Sequence, residues 1–263
     1  MKKTSKVKVD ENLRESILKA VDEIGGFKKF IKNGETILLK PNFNTADPFP
    51  GSTDSEFLRT VVGLFYENGA GKVIVGGSST FMADSRKVME KLRVFYLEKA
   101  TPPVQVVVFD EEKWVKKKIP DSKHLKNVFL PKILDEVDKL ILLPCLKTHF
   151  LAQFTGALKL SVGFVKPNQR LKLHIHNLQD KIAELNKIIN PNLIIMDARK
   201  IFINKGPANG EIREPNFILA SESRVDIDIE GVKIIKSFKG NSLRDIKPEE
   251  LFQIKTAIKI GID

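Results

Sequence analysis

The sequence is poor in cysteine and in long apolar runs, and each absence excludes a class of protein. Cys145 is the only cysteine among 263 residues, so the chain cannot form an intrachain disulfide or a Cys-only zinc or iron–sulfur site. No apolar run approaches the roughly 20 residues that a membrane-spanning helix needs. The basic start of the chain is not followed by the apolar segment of a signal peptide. We therefore expect a cytoplasmic protein without a membrane partner.

Arginine is also scarce, and this bears on nucleic acid as a partner. It supplies only 9 of the 44 basic residues, and lysine supplies the other 35. The net charge of +11 is compatible with polyanion binding, but proteins that read bases or phosphates usually cluster arginine and exposed aromatic side chains. Here the lysines are spread along the chain, a composition that also occurs in thermophile proteins. Nucleic acid is therefore the less favoured partner, and the sequence carries no signature of an oligomeric state.

Helical and strand patterns alternate from end to end. Five apolar runs are typical of buried strands: 36–40, 72–75, 104–109, 138–143 and 193–196. Helical patterns lie between most of them, and Asp10 is expected to cap the first helix. This order predicts an α/β fold with a mainly parallel open sheet and helices on both faces, in a single domain over 1–263. Residues 110–130 interrupt the alternation and predict an inserted β excursion or a small subdomain.

Polar side chains and glycines follow four of these strands. In chain order they are Lys40, Asn42, Thr53 and Asp54, then Gly76, Gly77, Ser78 and Ser79, then Lys147 and His149, then Asp197 and Gly206. Because the carboxyl ends of parallel strands meet at one edge of a sheet, these residues are predicted to converge on a ligand site. Each motif alone also has a structural interpretation: Thr53 and Asp54 suit a helix N-cap, and Lys40 suits a salt bridge to a structural carboxylate.

The segment after the fourth strand is the most informative part of the chain. Lys147 and His149 are two residues apart, so an extended segment places both on one side. Lys159 lies among apolar residues and, with Thr155 and Gly156, is expected to face the ligand. The lysines would bind a carboxylate or phosphate as point charges, and His149 would act as a general acid or base.

A divalent metal is an alternative use of the same region. His174 and His176 are two residues apart, and with His149 and Asp197 they offer nitrogen and oxygen ligands. The His-x-His pattern is also typical of an exposed helix start. Asp197 would otherwise orient a histidine or pair with a lysine.

Eight short motifs together resemble one family. They are LKPNF at 39–43, PGSTD at 50–54, VIVGGSS at 73–79, KTH at 147–149, TGALKLSVGFV at 155–165, MDA at 196–198, KGPANG at 205–210 and ILAS at 218–221. In this order, and over nearly the whole chain, they are similar to the family called domain of unknown function 362. The resemblance maps the family's motif positions onto Lys40, Asn42, Lys147, His149, Thr155, Gly156, Lys159, Asp197, Gly206 and Pro207. It implies the fold more firmly than it implies a reaction.

The chain departs from that family in two places. Many members carry a ferredoxin-like iron–sulfur module, and one cysteine cannot hold such a cluster, so none is expected in this chain. Where the family tends to have Asp-Pro-Val-Ala-x-Asp, this chain keeps the second acid as Asp228 but lacks the proline and alanine. Proton abstraction beside a carboxylate is one chemistry that such a set of lysine, histidine and aspartate residues could perform. The layout is also weakly similar to that of lactate racemase-like proteins.

Two functions remain open at this stage. The first is an enzyme that binds a small anionic ligand in a cleft lined by Lys, His and Asp and performs proton transfer or metal-assisted chemistry. The second is a non-catalytic module that binds an anion, or nucleic acid through the basic surface.

Overall fold

The computed structural model describes residues 3–243 and 245–263. Its strands are β1 (Thr4–Lys8), β2 (Thr36–Pro41), β3 (Lys72–Gly77), β4 (Gln105–Val108), β5 (Trp114–Lys118), β6 (Asn127–Pro131), β7 (Lys139–Leu143), β8 (Cys145–His149), β9 (Gln153–Thr155), β10 (Leu193–Phe202), β11 (Ile212–Arg213) and β12 (Phe217–Ser221). Its α-helices are α1 (Leu13–Asp22), α2 (Phe27–Phe30), α3 (Ser55–Glu67), α4 (Ser85–Lys91), α5 (Ala157–Leu160), α6 (Pro167–His174), α7 (Leu178–Leu185), α8 (Arg224–Lys236) and α9 (Phe252–Lys259). None of these described helices is long and apolar enough to cross a membrane.

The centre of the main sheet is parallel, and its strand order defines a crevice. The five parallel strands lie in the order β4, β3, β2, β7, β10. Along the chain, β3 and β4 are added on one side of β2, and β10 is added on the far side of β7. In such doubly wound sheets, ligands bind at the carboxyl ends of the two strands where the order reverses. Here that place is the end of β2 and β7, where Pro41 pairs with Leu143.

The two faces of the sheet are covered by different helices, which explains the unbroken apolar strands. Leu38 and Leu142 pack in one core cluster with residues of α5, α7, α8 and α9. Leu39 and Ile141 pack in the other cluster with residues of α1, α3 and α4. Because successive side chains point to opposite faces, a strand buried on both faces has no polar alternation. The predicted fold class is confirmed.

The predicted β excursion is also present. Strands β5 and β6 form a separate antiparallel pair, in register from Trp114 opposite Pro131 to Lys118 opposite Asn127. The interpretation of residues 1–263 as one domain stays a prediction.

Three details differ from the expectation. The first helix is capped by Asn12, whose side chain accepts hydrogen bonds from the backbone of Arg14 and Glu15, so the cap is not Asp10. Strand β1 was not predicted, and it pairs antiparallel with β12 at the edge of the sheet. The hairpin of β8 and β9 was not predicted either, and this hairpin carries much of the candidate site.

Candidate functional site

A cavity of about 330 Å³ opens at the carboxyl ends of β2 and β7. Its polar and charged lining comes from five parts of the chain: Lys40, Asn42 and Asn44; Ser78, Ser79 and Thr80; Lys147, His149 and Thr155; Lys159; and Arg170 and His174. Among the described residues that line it there is no aspartate or glutamate. The sheet topology therefore places a cavity with a strongly cationic wall where this type of fold binds its ligands.

The β8–β9 hairpin positions three of these side chains. Lys147 lies directly opposite Thr155 across the antiparallel pair, and His149 lies opposite Gln153. Lys147 and His149 are two residues apart on one strand, so both reach the same side, as does the cross-strand neighbour Thr155.

Lys40 and Lys147 are almost fully buried, yet no carboxylate pairs with either within the part of the chain that is described. Lys40 Nζ donates to the Pro41 carbonyl at 2.6 Å, and Lys147 Nζ donates to the carbonyls of Pro50 at 2.7 Å and Gly51 at 2.5 Å. Burial lowers the pKa of Lys40 to about 7 and that of Lys147 to about 8. The expectation of a structural salt bridge at Lys40 is therefore not met by the described residues.

Lys159 approaches the cavity from α5. Burial, with the nearby charge of Lys147, lowers its pKa to about 8. The helix is fixed at its start by Asp228, which accepts the backbone N–H groups of Ala157 at 2.6 Å and Leu158 at 3.0 Å. Gly156 precedes the helix and does not line the cavity. A side chain does not fit there, because a Cβ would collide with the Asp228 carboxylate. No described residue forms a hydrogen bond or ion pair with Lys159 Nζ.

Arg170 and His174 extend the cavity wall from α6. They lie four residues apart on one helix face, and His174 Nδ1 lies 2.7 Å from the Arg170 carbonyl. The Arg170 guanidinium pairs with Asp110 at 2.9 Å and donates to the Ser79 carbonyl. Arg170 was not predicted as a site residue. Its spacing of one helical turn from His174 was the available signal.

His149 is held as a hydrogen-bond acceptor at one ring nitrogen. Its Nδ1 accepts the backbone N–H groups of Leu151 at 3.1 Å and Ala152 at 3.2 Å, so the proton of the neutral ring lies on Nε2. Burial, followed by the positive charge of Lys159, lowers its pKa to about 2. A general base needs a free nitrogen lone pair near neutrality, so this geometry favours an Nε2–H donor over the acid or base role expected for His149.

Two buried polar atoms at the cavity have no hydrogen-bond partner among the described residues. They are Thr155 Oγ1 and Arg170 Nε, and both side chains are about 4% exposed. An unpaired buried polar atom costs about 1–3 kcal/mol. A polar ligand in the cavity is one way to satisfy such atoms.

Asp197 does not line the cavity. Strand β10 continues to Phe202, so Asp197 lies in the middle of the strand and not at its end. The fully buried carboxylate accepts hydrogen bonds from Arg199 at 2.8 and 3.0 Å. Arg199 also pairs with Asp54 at 2.9 Å, and Asp54 is the N-cap of α3. Arg199 therefore joins Asp54 and Asp197 in a structural ion-pair cluster, and neither aspartate is among the cavity residues.

Other predicted site residues lie beside the cavity and support its walls. Thr53 Oγ1 accepts the Asn42 backbone N–H at 2.8 Å. Gly76 and Gly77 leave no room for a side chain, because a Cβ on either would collide with a phenylalanine ring. The backbone N–H of Gly206 lies 3.3 Å from Thr148 Oγ1.

The proposed metal ligands do not come together. His149 and His174 line the cavity, His176 is exposed, and Asp197 is held by Arg199. Over residues 3–243 and 245–263 there is no group of three or more His, Cys, Asp or Glu residues that could hold a metal ion. The metal stays a prediction without a matching ligand set in these residues.

The comparison with protein families bears directly on this cavity. A family model described as "Domain of unknown function (DUF362)" matches residues 37–233. The chain belongs to the DUF362 family. The matched range includes all the described residues that line the cavity, so the site lies within the DUF362 part of the chain.

One curated relative and two solved structures are similar to this chain. The "Thylakoid-associated protein sll1697" of Synechocystis sp. is 29% identical over 226 aligned residues, which cover 82% of this chain and 68% of the relative. The structure of the lactate racemase apoprotein from Thermoanaerobacterium thermosaccharolyticum superposes with a TM-score of 0.53 at 14% identity, over 87% of this chain and 55% of that chain. A crystal structure of a Thermotoga maritima protein gives a TM-score of 0.46 at 9% identity, over 96% of this chain and 60% of that one. This DUF362 chain thus spans less than two thirds of either solved structure, and the racemase likeness shows the fold alone.

Proposed function

We propose that this DUF362 protein is an enzyme that binds a small carboxylate or phosphate in the cavity and transfers a proton. One observation carries the proposal: Lys40, Lys147 and Lys159 line one cavity, and none of the three pairs with a carboxylate among the described residues, whereas Arg170 in the same wall is paired with Asp110. Like charges gathered in a low-dielectric site repel one another and cost free energy. An anionic ligand would offset that cost.

The lysine N–H donors that have no partner among the described residues suit an anionic ligand. A charged lysine has three N–H donors. Lys147 uses two on carbonyls, Lys40 uses one, and Lys159 uses none among the described residues. Unused donors on three different elements, with the Thr155 hydroxyl beside Lys147, suit the several acceptor oxygens of a carboxylate or phosphate.

The lysines and His149 can supply both a base and the positive groups that stabilise a developing negative charge. A lysine whose pKa is lowered to about 8 has a substantial neutral fraction near pH 7 to 8 and can accept a proton. In its neutral form Lys159 is the proposed base, because its amine has no partner among the described residues; in its charged form the same amine is a donor to the bound anion. In abstraction beside a carboxylate, the proton would pass from carbon to Lys159 Nζ, and the electron pair of the C–H bond would delocalise into the carboxylate. The Nε2–H of His149 and the charges of Lys40 and Lys147 would stabilise the resulting negative oxygen.

The size of the cavity and the fold likeness support this class of ligand. About 330 Å³ lies at the lower end of the range for small-molecule sites, roughly 300–1,000 Å³. The fold neighbour named as a lactate racemase acts, by that name, on a small carboxylate. A cytoplasmic location, as expected from the sequence, belongs to the same proposal.

The +11 net charge favours a second candidate, a non-catalytic polyanion-binding module. Salt separates the two. A module that contacts 6–10 phosphates should lose about 10³-fold or more in affinity between roughly 50 and 200 mM salt. A single anion in an enclosed cavity should respond far less.

Calorimetric titration with acetate, butanoate and inorganic phosphate tests the proposed function. Lys159→Met removes a charged donor, and losses for such bonds of about 1.5–3 kcal/mol correspond to roughly 10- to 150-fold weaker binding. Lys116→Met is the matched control, since Lys116 is exposed on β5 and does not line the cavity. Equal affinities for the two variants, or binding by neither the wild type nor the control, would overturn the proposal. Base-catalysed exchange of the ligand's α-hydrogen with solvent deuterium, lost in Lys159→Met, is the readout for proton transfer.

A further inference from the structure

The mouth of the cavity is apolar, unlike its floor. Four large hydrophobic side chains that line it are exposed to solvent: Phe81 (37%), Met82 (82%), Phe150 (75%) and Leu151 (46%). We call these four residues the rim. They belong to two loops, one after β3 and one between β8 and β9.

The rim loops are held in place by backbone hydrogen bonds. Thr80 N–H donates to the Asn44 carbonyl at 2.8 Å, and Ala83 N–H donates to the Thr80 carbonyl at 3.1 Å, which closes the turn around Phe81 and Met82. Phe150 N–H donates to the Gly206 carbonyl at 3.1 Å. The exposed side chains are therefore presented by fixed turns.

The rim is in direct contact with the polar interior. The Phe150 ring stacks on the His149 ring with centroids 5.2 Å apart and planes 14° apart. Leu151 donates its backbone N–H to His149 Nδ1. In the other rim loop, the Phe81 and His174 rings lie 6.1 Å apart. Each rim loop thus lies against a histidine that lines the cavity.

Clustered exposed apolar side chains around a concave site mark a surface that is covered by a ligand or partner. Charge and polarity complementarity indicate the ligand. The part of the ligand that lies between Lys40, Lys147 and Lys159 must carry negative charge, and the part that extends across the rim must be apolar. We propose that the ligand is an amphipathic anion, with a carboxylate or phosphate head held by the lysines and an alkyl or aryl tail lying against the rim. This inference rests on the proposed function, which supplies the anionic head.

A homologous series of straight-chain carboxylates from acetate to octanoate tests the tail separately from the head. Titration of the full chain with each member gives the dissociation constant as a function of chain length. A fully buried methylene contributes about 0.8 kcal/mol, or roughly fourfold in affinity, so we expect about a two- to fourfold gain per methylene until the tail has crossed the rim. Hexyl phosphate should likewise bind more tightly than inorganic phosphate.

The variants Met82→Ser and Phe150→Ser change side chains that are mostly exposed, so both should fold. We expect each to flatten the dependence on chain length, and Met82→Ser to leave the affinities for acetate and inorganic phosphate within about twofold of the wild type. Ile258→Ser is the matched control, because Ile258 is 48% exposed on α9 and does not line the cavity. It should keep the wild-type slope.

The outcomes separate this inference from the proposed function. Acetate and phosphate binding that depends on Lys159, combined with affinities that do not rise with chain length, would overturn the amphipathic ligand and leave the anion site standing. If neither the carboxylates nor the phosphates bind, both the proposed function and the amphipathic ligand are overturned. Affinities that do not rise with chain length, combined with cosedimentation of the protein with vesicles of anionic phospholipid, would also overturn this inference. If Met82→Ser abolishes the cosedimentation, the rim would be assigned to binding a membrane surface.

Discussion

Raising the pH from about 6.5 to about 9 should weaken the binding of a small carboxylate far more than ordinary lysines would allow. Burial lowers the pKa of Lys40 to about 7 and that of Lys147 and Lys159 to about 8. A lysine must carry its proton to attract an anion. For a group whose pKa is lowered, the charged form is lost as the pH rises through the lowered value, so the sign of the effect is a loss of affinity with rising pH.

The magnitude follows from the charged fraction of each lysine. Between about pH 6.5 and 9, a lysine of pKa about 8 goes from almost fully charged to roughly one tenth charged, while one of pKa about 7 falls to roughly one hundredth. Affinity should therefore fall about tenfold if only Lys147 or Lys159 must be charged, and close to a hundredfold if Lys40 must be. A lysine with the usual pKa of about 10.4 would still be almost fully charged at pH 9.

Butanoate is a suitable probe because a carboxylate keeps its charge over this range. Titration calorimetry at constant ionic strength gives the dissociation constant at each pH. Repeating the titration near pH 8 in two buffers of different ionisation enthalpy gives the protons taken up. From the same pKa values we expect about half a proton if one lysine of pKa about 8 becomes charged, and about two if all three lysines do.

A flat affinity up to pH 9, with no proton uptake, would refute the reasoning. It would mean that the lysines at the cavity titrate normally or that the anion binds elsewhere. A profile whose fall becomes shallower in Lys159→Met, and is unchanged in Lys116→Met, would attribute the effect to the cavity.

Three further predictions concern the residues around the cavity. Replacing Lys40 by Met should raise the free energy of unfolding at pH 6 by about 2–4 kcal/mol, because lowering the pKa of Lys40 to about 7 destabilises its charged form in the folded state by at most about 5 kcal/mol. Chemical denaturation should show that this gain shrinks between pH 7 and 10, because the wild-type folded state binds fewer protons there than the unfolded state. An equal gain at pH 6 and at pH 10 would contradict this prediction. The ring nitrogens of His149 should give ¹⁵N shifts of a neutral Nε2–H tautomer from about pH 5 to 8, since Nδ1 accepts two backbone N–H groups; a titration near pH 6.5 would refute this assignment. Arg199→Met leaves the Asp197 carboxylate buried and unpaired, which should cost about 3–5 kcal/mol in unfolding free energy, while the butanoate affinity of the folded protein stays within about twofold; a large loss of affinity would return Asp197 to the ligand site.

The sheet could be predicted because strands buried on both faces leave a strong local signal. Runs such as residues 138–143 are continuously apolar, and the helical patterns between most of them imply parallel neighbours. Strand β1 escaped prediction because its alternation of outward lysines with Ser5 and Val7 is short and lies at an edge. The hairpin of β8 and β9 was not predicted because Lys147, Thr148, His149 and Thr155 are polar and yet buried. That combination follows from the cavity and not from local propensity.

Some residues of the candidate site could also be predicted from local sequence, and others could not. Lys147 and His149 could be placed side by side because a spacing of two has one geometric meaning in an extended chain. Asp197 was assigned to the sheet edge because nothing in the sequence shows that β10 continues past it to Phe202. Its pairing with Arg199 depends on that strand's length. The spacing of one helical turn links Arg170 to His174, but the position of both at the cavity depends on the path of α6, which that spacing does not determine.

The central claim is that one anion is held jointly by Lys40, Lys147 and Lys159 at the carboxyl ends of β2 and β7. A crystal structure of the protein with bound butanoate tests it most directly. We predict carboxylate oxygens within hydrogen-bond distance, about 2.7–3.2 Å, of at least two of the three lysine nitrogens, with the alkyl chain directed toward Met82 and Phe150. Butanoate bound only at surface lysines, with this cavity unoccupied, would contradict the account.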